Sequence, residues 1–176
     1  MKLEEKISKI PNIYYQNSDL TSENFPEPKT LRTDYKTIEM KKSFSSQEAL
    51  DEMKKQGCSP ANIWELTEWI AQGNAKKGKW YPAFGSSWKD SDGFHRVPIV
   101  DALTDGDFEF VLGYFESDWN SGNILVCFCD SLDTQTLEVP STQSLMSFEQ
   151  ALEIVKANNC RVYQTQTKTI TTEVEL

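Results

Sequence analysis

One histidine, four cysteines, five tryptophans and a dense local run of carboxylates are the residues of this 176-residue chain that could carry chemistry. His95 stands at the start of a β-rich run beside Arg96, with Asp90, Asp92 and Ser87 nearby in the chain. A general base needs an orienting partner and a nucleophile within hydrogen-bond reach. Gly85-Ser86-Ser87-Trp88 is not a nucleophile elbow, and no phosphate-binding loop, dinucleotide glycine fingerprint or His-Glu-x-x-His pair occurs. No catalytic residue is therefore assigned, and a non-enzymatic protein is expected.

Asp90-Ser91-Asp92-Gly93 and Asp118-Trp119-Asn120 imitate calcium loops but fail on spacing. Counting back from Gly93 puts Trp88 at the first ligand position and Ile99 at the closing one. In the second, Gly122 comes one residue early and no glutamate follows. Carboxylate pairs such as Asp105 with Glu116 have no spacing that singles them out for glycoside hydrolysis. The cysteines, Cys58, Cys127, Cys129 and Cys160, lack the Cys-x-x-Cys knuckles of a four-thiolate zinc site. They read as four free thiols, with Cys127 and Cys129 on one strand face, and no metal or cofactor is expected.

Charge supplies the stronger signal. The chain carries a net charge of −9, whereas residues 90–138 alone hold eleven Asp or Glu against Arg96, a balance of −10. Such a segment repels nucleic-acid backbones and anionic membranes and attracts basic protein surfaces. Trp88 and Trp119 flank its turns, where an indole ringed by acids suits a cationic partner. The candidate binding set is therefore Trp88, Asp90, Asp92, Asp105, Asp107, Asp118 and Trp119, and the expected partner is a basic, nucleic-acid-handling protein. By analogy of composition alone, small acidic proteins of phages and mobile elements act in this manner, including DNA mimics and anti-CRISPR-like inhibitors. Two other readings stay open: a small-molecule or carbohydrate binder or hydrolase using Trp88, Trp119 and nearby carboxylates, and a structural subunit that buries an apolar sheet face in a homo-oligomer.

The elements that must position these residues follow from periodicity. Between Lys79 and Asp130, four apolar runs are separated by acidic glycine turns, and the Asp92-Gly93 and Asp105-Gly106 pairs mark hairpins. Phe108, Phe110, Leu112 and Tyr114 share one strand face and Val111 and Phe115 the other; Ile124, Val126 and Phe128 oppose Leu125, Cys127 and Cys129. Strands apolar on both faces must be covered on both sides or offer one side to a partner. Pro82 and Pro98 each lack a ladder donor, which places their strands near an edge or a bulge.

Upstream, Ser45-x-x-Glu48 is a capping box opening a helix that closes at Gly57. Ser59-Pro60 reads as the start of a second helix, with Ile63, Leu66 and Ile70 as its stripe, ending before Gly73. Ser147-x-x-Gln150 opens a third at the same spacing as the first, either by chance or by duplication. Residues 2–9 suit a short helix, Tyr35 to Phe44 a strand, and Thr134 to Val139 and Arg161 to Leu176 further strands. The expected fold is α+β: an antiparallel meander of about four to six strands, centred on residues 107–129, with three helices against it. Residues 1–34 read as an N-terminal arm packed on a single domain of residues 35–176. No run is long enough to span a membrane and no export signal opens the chain, so a cytoplasmic protein with reduced thiols is expected.

Overall fold

A computed structural model describes residues 1–129, which contain three helices and ten strands in a mixed α+β arrangement. The helices are α1 (Leu3–Ile7), α2 (Ser46–Lys55) and α3 (Ile63–Ala71). The strands are β1 (Ile13–Gln16), β2 (Tyr35–Glu39), β3 (Phe44–Ser45), β4 (Cys58–Pro60), β5 (Lys79–Pro82), β6 (Trp88–Lys89), β7 (His95–Ala102), β8 (Phe108–Tyr114), β9 (Asp118–Trp119) and β10 (Ile124–Cys129). The anticipated third helix at 147–158, the strands after Thr134 and the duplication lie outside the described residues.

Local signals act where expected. Ser45 Oγ accepts from the Glu48 amide while the Glu48 carboxylate accepts from the Ser45 amide at 2.8 Å, which closes the capping box of α2. Gly57 ends that helix at φ +69°, the left-handed position that a side chain rarely adopts. Gly93 and Gly106, at φ +89° and +111°, make the turns that join β6 to β7 and β7 to β8 as antiparallel pairs.

The single meander does not form. β5, β6, β7 and β8 share one sheet, ordered β1-β8-β7-β5 with β6 also on β7, but β10 leaves it to become the centre of a second sheet, β2-β10-β4. Between β8 and β10 the chain is diverted at β9, which pairs with β3 and buries Trp119 to 5% exposure. Once turned, β10 finds backbone partners on both sides, Ile124 to Phe128 against Glu39 to Tyr35 and Cys127 to Cys129 against Pro60 to Cys58. The first sheet is not purely antiparallel either, because β1 adds parallel to β8. Within residues 1–34, Leu3, Ile7, Leu20 and Phe25 are buried in the main core.

Two proline expectations also change. Pro82 sits on edge strand β5, but Pro98 lies inside the central strand β7. Its carbonyl accepts from the Ala83 amide at 2.8 Å, so its donor-less nitrogen faces the same side, where β5 has ended and β6 has not begun. The gap between two short neighbours removes the need for the missing N–H. Pro60 does not start α3. Asn62 caps it, accepting from the Glu65 amide at 3.0 Å, and Cys58–Pro60 is strand instead.

Two apolar clusters fill the molecule, and the alternation read from the sequence assigns side chains to them. Ile124, Val126 and Phe128 join Phe110, Tyr81, Val100, α1 and the buried α3 residues in one; Leu125 and Cys127 join Val97, Ile99, Phe84, Trp119 and α2 residues Ala49 and Met53 in the other. Both faces of β10 are thus covered within the chain. At about 1.5–3 kcal/mol for each large side chain buried, this double covering is the main stabilising term.

The same pairing corrects the thiol reading. Cys129 lies directly opposite Cys58, and the two form a disulfide, leaving Cys127 as a free, buried cysteine. Reduced thiols thus no longer support a cytoplasmic location. Among the described residues, no helix is long and apolar enough to cross a membrane.

Candidate functional site: an acidic row between aromatic side chains

The seven residues chosen from sequence do not form one patch. Asp90 and Asp92 belong to the turn before β7, Asp105 and Asp107 to the turn after it, and the eight residues of β7 separate the two turns by about 25 Å. Asp90 is spent on structure. Its carboxylate accepts from the Asp92 and Phe94 amides at 3.1 and 2.9 Å and from Arg96 Nε at 2.6 Å, and Arg96 in turn lies over the Tyr114 ring at 3.7 Å. Burial alone would raise the Asp90 pKa, but the Arg96 and amide hydrogen bonds outweigh it and hold the pKa below its ordinary value.

The tryptophans behave differently from expectation. Trp119 is core: its Nε1 donates to Ser46 Oγ at 2.7 Å and its ring meets Phe84 edge-on at 5.1 Å. It is unavailable as a surface anchor. Trp88 is half-buried, with its ring 6.3 Å from that of Phe25. Asp92, Asp105 and Asp118 are exposed and Asp107 is half-buried. The Asp105 carboxylate accepts from the Asp107 amide at 3.1 Å, and Lys77 Nζ donates to the Asp105 carbonyl at 2.8 Å. Lys77 therefore fastens this turn. At the other end of β7, His95 Nδ1 lies 3.2 Å from Glu116 Oε1, with both side chains open to solvent.

A different constellation emerges from strand register. Trp80 on β5 lies opposite Asp101 on β7; Asp101 lies opposite Glu109 on β8; Glu109 lies beside Tyr15 on β1. At about 4.8 Å per strand, these four residues make a row about 15 Å long across the sheet. Alternation puts Asp101 and Glu109 on the face that also carries Val97, Ile99 and Val111. Trp119 lies over that face at Gly113, where a Cβ would stand 2.7 Å from Ile99 Cδ1 and 3.0 Å from the indole. Farther along the row, Asp101 and Glu109 are half-buried and Trp80 and Tyr15 are 42% and 47% exposed.

The electrostatics of this row are unlike those of Asp90. Like charges directly opposite each other on antiparallel strands are destabilising. Partial burial and then the charge of Glu109 push the Asp101 carboxyl above its ordinary value, with the Trp80 indole acting in the other direction as a hydrogen-bond donor. Among the described residues, neither Asp101 nor Glu109 has an ion-pair partner, whereas Asp90 and Glu116, in the turns after β6 and β8, do. A two-carboxylate pair with one raised member also resembles an acid-base site. Here it occupies an open sheet face rather than a cleft that excludes water.

A cleft among the described residues lies elsewhere. It has a volume of about 310 Å³ and is lined by Phe25, Pro26, Asn62, Trp64, Ser86 and Ser87 among others. Three of its polar side chains are engaged: Asn62 caps α3, Ser86 Oγ accepts from the Ile63 amide at 2.9 Å, and Trp64 Nε1 donates to the Phe25 carbonyl at 2.9 Å.

Sequence reasoning missed Trp80, Asp101, Glu109 and Tyr15 because nothing along the chain links them. The one available signal was the pair of acids, Asp101 and Glu109, placed symmetrically about the turn residue Asp105, four residues before it and four after. Hairpin pairing sets such residues opposite one another. No protein-family model matches this chain, and no curated protein matches it.

Proposed function

We propose that this is a non-enzymatic binding protein that docks a basic protein partner on the open end of its five-stranded sheet. The observation that carries the reading is the Asp101–Glu109 pair, held face to face between Trp80 and Tyr15 with no cation of its own among the described residues. A lysine or arginine entering there would relieve the repulsion and stack on exposed aromatic faces, an attraction of about 0.5–2 kcal/mol per contact. Exposed Asp92, Asp105 and Asp118 extend the negative field and would raise the rate of encounter rather than the lifetime of the complex. In keeping with the composition, the partner class is a basic, nucleic-acid-handling protein, and nucleic acid itself is not the ligand.

An arginine-rich peptide and any partner recovered from the source cell test this. Asp101→Asn with Glu109→Gln should weaken binding at least tenfold and flatten its salt dependence. Trp80→Ala should speed dissociation by a factor equivalent to about 2 kcal/mol, as for a buried aromatic anchor. An affinity indifferent to salt and to all three substitutions would place the surface elsewhere. The carbohydrate-binding reading loses its second indole, because Trp119 is buried. The oligomer reading loses its uncovered apolar face on β10, whose two sides are packed within the chain.

A further inference from the structure

Three of the four cysteines converge. The Sγ atoms of Cys58, Cys127 and Cys129 all lie within 4.8 Å of one another. Spacing along the chain argues against a thiolate metal site, but strand pairing supplies what spacing does not: β4 sets Cys58 opposite Cys129, and Cys127 shares its strand face with Cys129. A trigonal site with metal–sulfur bonds near 2.3 Å has sulfurs about 4 Å apart. The three side chains are already gathered on that scale.

We propose that Cys58, Cys127 and Cys129 form a redox-gated site for one monovalent copper ion, in which the Cys58–Cys129 disulfide and the metal are alternative occupants. Two equivalents of a glutathione-type thiol reduce the disulfide, giving two protein thiols and one small-molecule disulfide. Cu⁺ then displaces three protons from three thiols, and no electron passes to or from the metal. The resulting site carries a net charge of −2. Lys36 lies opposite Cys127 on β2, and the Arg32 guanidinium bonds Ser59 and the Pro60 carbonyl beside Cys58, which places two cationic side chains near the cluster. The Cys127 thiol also donates to the Lys36 carbonyl at 3.4 Å, which orients it.

The choice of ion follows from the ligand set. Thiolates are soft donors that select Cu⁺ or Zn²⁺. A structural zinc takes four ligands, and no histidine or carboxylate joins the three sulfurs among the described residues. A three-coordinate ion fits this set without a further donor.

The test uses the full chain carrying Cys160→Ser, so that only the cluster contributes thiols. The reduced protein is titrated anaerobically with Cu⁺, delivered as its acetonitrile complex against a chromogenic Cu⁺ chelator, with circular dichroism recorded alongside. The expected result is one Cu⁺ per chain and protection of three thiols from alkylation, with no uptake by the disulfide form. Adding Cys127→Ser, which leaves the disulfide and its strand pairing in place, should lower affinity in the reduced form by about a hundredfold or more, at or beyond the upper end of what loss of an outer-shell partner costs. Equal uptake by the oxidised form or by the Cys127→Ser protein would overturn the proposal. So would a reduced chain that keeps its native spectrum yet takes up no copper, or one that loses that spectrum, since the site requires β4 beside β10. Four-coordinate Zn²⁺ bound in preference to Cu⁺ would overturn the three-coordinate assignment.

Discussion

Two acidic regions of this molecule use the same functional group in opposite ways. Near the start of α3, Glu65 is 1% exposed and fully engaged: Arg32 grips it with Nε and Nη2 at 2.7 and 2.8 Å, and the Arg32 and Asn62 amides add bonds at 3.1 and 3.0 Å. The guanidinium also lies over Phe128 at 4.2 Å and reaches Ser59 and the Pro60 carbonyl. Across the five-stranded sheet, Asp101 and Glu109 face each other with no ion-pair partner among the described residues. A carboxylate with every lone pair engaged belongs to the fold, and one held against a like charge is available to something else. Sequence position does not separate these cases; the surroundings do.

Their pH signatures have opposite signs. Burial by itself raises the Glu65 pKa, but the Arg32 bonds and the two amides outweigh it, so the carboxyl is held below its ordinary value. Its contribution to stability is present above the unfolded glutamate pKa and is lost as pH falls through the depressed folded value. Asp101 is raised. Its ionisation costs stability above the raised folded value, and that cost disappears as pH falls below the unfolded aspartate pKa.

The largest test of the contrast is Arg32→Ala, which leaves a buried carboxylate without its partner. Chemical denaturation at neutral pH should show a loss of about 3 kcal/mol, at the lower end for a broken buried pair because Arg32 itself is 40% exposed. The same variant sharpens the pH argument. Across the range below the ordinary glutamate pKa of about 4.3, the wild type should lose stability more steeply on acidification than Arg32→Ala, and equal slopes would show that Arg32 is not what depresses Glu65.

A smaller effect of opposite sign is expected at the open row. Asp101→Asn should leave neutral-pH stability unchanged or raise it by about 0.5 kcal/mol, since it removes a cross-strand repulsion, while weakening binding of a cationic partner. A loss above about 1 kcal/mol would mean that Asp101 serves the fold after all. The smallest changes belong to the exposed turn acids: Asp92→Asn and Asp118→Asn should stay within about 0.5 kcal/mol by the same denaturation measurement.

What could be read beforehand was local in origin. Ser45-x-x-Glu48, Gly57 and the two Asp-Gly turns act through bonds and dihedrals a few residues apart, so their outcome is written in those residues. Asn62-x-x-Glu65 is a capping box of the same kind and was equally legible. The Ser59-Pro60 signal competed with it and lost because Cys58–Pro60 gains ladder bonds to β10. The two-faced apolar pattern foretold the double covering of β10, whereas in β8 only Phe110 is fully buried.

The sequence by itself determined which short segments would turn, cap or extend, which side chains shared a face, and where negative charge would collect. It left open which strand β10 would choose, because pairing within the meander and pairing with β2 and β4 satisfy the same backbone groups. Only the packing of Trp119 and the two apolar clusters separates those alternatives. That choice, made over separations of 71 residues for Cys58 and Cys129 and 91 for Cys127 and the Lys36 carbonyl, brings the three sulfurs together. The Asp101–Glu109 row was decided by register between β7 and β8. These are properties of the assembled chain, in which burial of many side chains at once selects a single pairing.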